Sequence, residues 1–197
     1  MFEYSDGATP LDPDEIEGLI PSHIVNRGQL DELEQQNIVA AQIWLSTSRI
    51  PKINDHNNLR TLHQKMLGNV WRWAGTFRMT AKNIGVEAYQ IAPELRNLCD
   101  DVDTWIKHSS YPPDEIATRF HHKLLLIHPF PNGNGRHARL ATDTLLSKQL
   151  NANAFTWGSA SIGKNINKEC DVRNQYIHAL RKADRGDYQA LLGFVRT

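Results

Sequence analysis

Residues 124–150 constrain the fold more than any other stretch. An apolar run, Leu124-Leu125-Leu126-Ile127, leads into the turn His128-Pro-Phe-Pro-Asn-Gly-Asn-Gly135, and a helical pattern from Arg136 to Leu150 follows. A helix that begins after Gly-Asn-Gly directs unpaired backbone N–H groups and its positive dipole end at whatever lies in front of it. Such an end is a ready anion site, and phosphate is its usual guest. Arg136 and Arg139 stand three residues apart, so both can flank one pocket. His128 adds a titratable base at the rim. The stretch therefore predicts a phosphate-bearing substrate and a proton transfer.

The rest of the chain reads as helical. Pro13 suits the first turn of a short helix over 14–19, with Gly18 near its end. Leu30, Leu33, Ala41 and Trp44 predict a long helix from about Gln29 to Ser48. Leu59, Leu62, Met66 and Val70 repeat at helical spacing, with Gly75 as the stop. Residues 76–92 break that pattern. Thr76–Thr80 and Val86–Ile91 alternate like short strands around Asn83 and Gly85, which predicts a small β-hairpin flap. Pro93 opens a helix through Leu95, Leu98, Val102 and Trp105. Pro112-Pro113 starts the helix that ends at Ile127. Two last helices are expected over 168–182 and 188–195, broken at Asp184-Arg-Gly186. The expected class is all-α, with six to eight helices and the hairpin flap.

Charge narrows the partners. Lys and Arg total 22, as do Asp and Glu, so no broad basic field is available for nucleic acid. Cys99 and Cys170 are too few for a disulfide framework, and a reduced, cytoplasmic setting is expected. The polar N-terminus suggests no leader peptide, and no apolar run reaches the ~20 residues of a membrane span. His121, His122, His128 and His137 lack the spacing of a zinc-binding His pair backed by a catalytic Glu.

The run from His128 to Arg139 resembles the signature of the Fic family, His-x-Phe-x-(Asp/Glu)-Gly-Asn-Gly-Arg-x-x-Arg. It matches at every fixed position except the acidic one, where Asn132 stands. Trp73-Ala-Gly75 and the tail from Tyr176 through Asp184-Arg-Gly-Asp187 add to the likeness. It extends over 28–197, with 1–27 as an N-terminal arm. Within the family the sequence looks most like the branch called mobile mystery protein B.

The resemblance implies a Fic-domain helical bundle that moves a nucleotide monophosphate, most often AMP from ATP, to a hydroxyl side chain of a target protein. His128 is then the catalytic base. The amides of Gly133, Asn134 and Gly135 hold the phosphates, and the Asn134 side chain reaches the α-phosphate. Arg136 and Arg139 grip the β- and γ-phosphates. Phe130 anchors the loop. The flap at Gly85, Val86 and Glu87 docks the target by strand addition. Gly135 stands where the related Doc toxins carry Lys and phosphorylate, so it favours nucleotidyl transfer. Fic proteins often label themselves, so the target need not be known to see the reaction.

Asn132 stands at the metal position. Its neutral oxygen is a weaker ligand for Mg²⁺ than a carboxylate. Three outcomes stay open: looser metal binding with catalysis, a different donor, or a nucleotide-binding regulatory module with little catalysis. A toxin component held by a separate antitoxin or regulatory partner is a further alternative. Ile16-Glu17-Gly18 resembles the end of an inhibitory motif whose glutamate pairs with the second signature arginine, which casts Glu17 as a brake on Arg139.

Overall fold

In the computed structural model, residues 11–47, 52–159 and 167–197 are described, with side chains from 171 onward in the last stretch. Eight α-helices lie among them: α1 (Pro13–Ile16), α2 (Arg27–Thr47), α3 (His56–Leu67), α4 (Ile91–Lys107), α5 (Pro113–Ile127), α6 (Asn134–Lys148), α7 (Asn167–Ala183) and α8 (Gln189–Val195). The all-α class is as expected. No described helix is long and apolar enough to cross a membrane.

Helix starts follow their local chemistry. Asp55 caps α3 by accepting from the N–H groups of Asn57 and Asn58. Pro113 opens α5, followed by Asp114 and Glu115 in the first turn, where negative charge suits the dipole. The main core joins α2 to α6 through Leu30, Leu62, Met66, Leu95, Val102, Phe120 and Leu145, all essentially inaccessible. A second core, including Ala117, Leu146, Phe155, Ala179, Leu191 and Val195, fastens α7 and α8 to α5 and α6. Both clusters draw on α5 and α6, so the turn between these helices is held from two sides. Cys99 is buried, which pushes its thiol up to about 12. The side chain of Cys170 lies outside the described residues.

Two expectations are corrected. Helix α3 ends at Leu67 with Gly68 as its C-cap, well before Gly75. The N-terminal segment diverts the chain: Leu19 bridges Trp71, the Ile20 N–H donates to the Val70 carbonyl at 2.8 Å, and the Arg72 N–H donates to that of Gly18 at 2.9 Å. These pairings use backbone groups that a longer helix would have used itself.

The second correction is the flap. Residues 76–90 contain no strand; they form an irregular loop that ends in a 3₁₀ turn, Ala88–Gln90. The reason is Arg78, which is 2% exposed. Its guanidinium donates to the carbonyls of Thr80 (2.8 Å) and His128 (2.7 Å), to that of Val86, and at longer range to that of Ile127 (3.5 Å). The Arg78 N–H reaches the Pro129 carbonyl at 3.0 Å, and the Val86 N–H reaches that of Ile127 at 3.4 Å. The flap thus satisfies its backbone against the end of α5 and one buried side chain, not across itself.

Candidate active site

Helix α5 stops where its backbone turns left-handed, at His128 with φ 50°. The chain then makes a tight loop and re-enters a helix at Asn134, two residues earlier than the sequence pattern suggested. Gly133 caps that helix at φ 77°, and a Cβ there would meet Leu67 Cδ1 at 2.7 Å. Glycine answers both demands.

The loop is braced by its own residues. Phe130 is fully buried, as expected of an anchor. The Phe130 N–H donates to Asn134 Oδ1 at 2.9 Å, and Asn134 Nδ2 donates back to the Phe130 carbonyl at 2.8 Å. Both polar ends of the Asn134 side chain are thus engaged with the loop. Its backbone N–H remains in the first turn of α6. A Cβ at Gly135 would meet nothing within 4 Å, so the space beside this first-turn residue is open.

His128 is 4% exposed. Burial, with Arg78 and Lys82 nearby, lowers its pKa to about 4. The imidazole is therefore neutral near pH 7 and able to accept a proton. The flap lies directly against it: a Cβ at Gly85, where φ is 113°, would fall 2.8 Å from His128 Cβ and nearly on the Arg78 guanidinium. Val86 has both its N–H and its carbonyl engaged, and the Glu87 N–H donates to Gln90 Oε1 at 3.2 Å. Strand addition onto these two residues would first have to displace those bonds.

The two arginines are held by different elements. Arg136 Nη1 donates to Glu34 Oε2 at 2.5 Å. Glu34, on α2, is 3% exposed and accepts from Trp71 Nε1 at 2.6 Å. The Arg139 guanidinium sits 5.5 Å from the Tyr176 ring centre, and its charge favours ionisation of the hydroxyl. His121 Nε2 meets the same hydroxyl at 2.7 Å. Glu17 is exposed at the end of α1 and forms no ion pair with Arg139. Helix α1 is instead tied to the flap through Lys82, whose Nζ reaches Asp12 Oδ2 (2.9 Å) and Glu15 Oε2 (2.6 Å).

Among the described residues no group of three or more His, Cys, Asp or Glu could hold a metal ion. Asn132 Oδ1 accepts from the Gly133 N–H at 2.8 Å. It can offer a cation one neutral oxygen. The histidines noted in the sequence have other work: His122 bonds Asp184 and Tyr188, and His137 Nε2 donates to the Leu59 carbonyl at 2.9 Å. Trp157 Nε1 donates to the Asp143 carboxylate at 3.0 Å, so its polar edge is engaged in packing.

Sequence reasoning missed Glu34, Arg78 and His63. The available signal was a polar residue inside an apolar stripe, as Glu34 is among Leu30, Ile38 and Ala41, and His63 is among Leu59, Leu62 and Met66.

Known proteins resemble this chain in sequence and fold. The Fic/DOC family model matches residues 53–146. The protein adenylyltransferase Fic of Drosophila yakuba is 30% identical over 160 residues, which is 79% of this chain and 30% of that protein. The chain thus spans about a third of the length of the curated relatives it matches. Two solved structures share the fold. Fic-1 of C. elegans (residues 134–508) superposes with a TM-score of 0.67 at 22% identity, covering 92% of this chain and 51% of that one. BepC of Bartonella tribocorum, solved with AMPPNP bound, gives 0.66 at 18% identity and covers 94% and 97% of the two chains. These matches reach the family and not the mobile mystery protein B branch within it.

Proposed function

Because the chain carries a Fic/DOC family domain, we propose that it is a protein adenylyltransferase, moving AMP from ATP to a hydroxyl side chain of a target protein. The observation that carries this reading is a neutral, buried His128 set at the start of a braced loop that ends in the N-terminus of α6. In the reaction, His128 takes the proton of the target hydroxyl. The hydroxyl oxygen attacks the α-phosphorus, the α–β phosphoanhydride bond breaks, and pyrophosphate leaves. The amides at Gly133, Asn134 and Gly135 stabilise the charge that develops on the phosphoryl oxygens. Arg136 and Arg139 hold the β- and γ-phosphates. Glu34 takes one N–H of Arg136 and leaves the rest of its fork for phosphate.

A divalent cation would arrive on the phosphates, where it neutralises charge, and Asn132 Oδ1 would be its protein oxygen. Mg²⁺ commonly keeps several waters and takes few protein ligands, which suits so sparse a site. The second reading, a nucleotide-binding module with weak transfer, is favoured by that same neutral oxygen, which is already accepting from Gly133. The brake assigned to Glu17 belongs to this proposal and requires Glu17 to move onto Arg139, with which it makes no ion pair in this structure.

Calorimetry with ATP, ADP and GTP, with and without Mg²⁺, tests the site. Adenine nucleotides are expected to bind, and Asn132→Asp is expected to raise transfer with Mg²⁺. Failure of any nucleotide to bind would refute the proposal. ATP binding with no transfer by the wild type under any divalent metal would favour the module. Glu17→Gly is expected to raise transfer, and unchanged transfer would remove the brake.

A further inference from the structure

His63 lies on α3 and is fully buried. A buried imidazole needs a partner at both ring nitrogens. The Gly75 N–H donates to Nδ1 at 2.9 Å. Nδ1 is therefore the acceptor, and the ring proton is on Nε2. That Nε2–H donates to the backbone carbonyl of Asn132 at 3.0 Å. The ring stacks on Phe130, with centroids 3.7 Å apart and planes 15° apart. Burial, reinforced by the nearby His137, holds its pKa well below the usual value, so this neutral tautomer persists.

In a trans peptide the carbonyl and the following N–H point to opposite sides. Holding the Asn132 carbonyl against His63 therefore turns the Gly133 N–H away from α3. On that far side it meets Asn132 Oδ1 at 2.8 Å. A phosphate oxygen entering the loop would take the place of that side-chain oxygen. The fit behind the loop is close: a Cβ on Gly133 would come within 3.5 Å of His63 Nε2.

We infer that His63 is a positioning residue for the phosphate loop, setting the plane of the Asn132–Gly133 peptide so that the Gly133 N–H faces the bound anion. The inference rests on the nucleotide-transfer reading of the site. It also gives the Trp73-Ala-Gly75 turn a task, because Gly75 fixes the tautomer that His63 needs. Imidazole suits the place because one rigid ring accepts at one edge, donates at the other and stacks on its face. Phenylalanine keeps the stacking and loses both bonds. Glutamine restores an acceptor and a donor on one side chain.

The test compares wild type, His63→Phe, His63→Gln and Leu62→Ala. Leu62→Ala opens a cavity in the same helix, so it serves as a control for lost stability alone. His63→Phe is expected to weaken ADP binding about tenfold and to raise KM for ATP in step, with kcat falling less. His63→Gln is expected to stay within about threefold of wild type, and Leu62→Ala to bind ADP as wild type does. ADP affinity unchanged in His63→Phe would overturn the inference, as would an equal loss in Leu62→Ala. If His63→Phe does not fold, a loss in His63→Gln as large as about tenfold overturns it. A wild type that binds no nucleotide refutes the transfer reading instead. The Gly133 amide then decides: faster hydrogen exchange in His63→Phe but not in Leu62→Ala supports the inference, and exchange unchanged in His63→Phe overturns it.

Discussion

The loop over residues 128–135 and the flap over residues 76–90 meet at His128, and their backbones are satisfied in different ways. The loop is braced by side chains that reach it from within and from α3: Asn134 on Phe130, Asn132 on Gly133 and His63 on Asn132. The flap's carbonyls are gathered mainly by one guanidinium, Arg78, whose donors reach both the flap and the end of α5, while Lys82 ties the flap to α1. The loop's backbone, whose amides are proposed to face phosphate, is held from behind by His63 and from within by Asn134. The flap keeps a fixed backbone and leaves Met79, Ile84 and Tyr89 exposed. A rigid amide cradle beside a surface of adaptable side chains would suit the proposed transfer from one donor to varied acceptors.

Acid should separate the two regions most. His121 is lowered to about 3, His128 and His137 to about 4, and His63 well below its usual value, all mainly by burial. Their folded pKa values lie below the unfolded value, so the unfolded chain binds more protons between pH 6.5 and 4. Stability present above pH 6.5 is then lost as pH falls, by about 1.4 kcal/mol per pH unit for each histidine. Urea unfolding from pH 7 to 4.5 should register the loss. The flap contains no histidine, so hydrogen exchange should show the Gly133 amide opening before that of Val86. The reverse order would break the comparison.

Arg78→Leu should cost about 4 kcal/mol, because it leaves several buried carbonyls without donors. A loss below about 1 kcal/mol in urea would mean that the flap is held by something else. Asn134→Ala should cost about 2 kcal/mol and also weaken ADP binding, since it removes both bonds to Phe130. Exposed Tyr89→Ala should change stability by less than about 0.5 kcal/mol while altering labelling of a protein target. Stability loss without a labelling change would place Tyr89 in the fold and not at the docking surface.

The helices and the signature loop were legible because their determinants are local. Apolar spacing marked α2 to α6, and Gly133 sits where a left-handed turn requires it. The residues that hold the loop from outside were not legible. His63 lies 69 positions from Asn132, and Glu34 lies 102 from Arg136. Only folding brings them together. The flap misled for a related reason. Alternation over Thr76–Thr80 and Val86–Ile91 marks extended backbone, but it does not reveal that a buried arginine, and not a second strand, receives the carbonyls. The bonds of Asn134 to Phe130 were not legible because a motif fixes a residue's position and not its partner.

The central claim is that His128 and the braced loop transfer a nucleotide. Self-labelling with α-labelled ATP, on wild type and His128→Ala in parallel with ADP binding, tests it most directly. Label is expected on the wild type, with a fall of about a hundredfold or more in His128→Ala and ADP affinity nearly unchanged by that substitution. Equal labelling of both proteins would rule out His128 as the base for transfer.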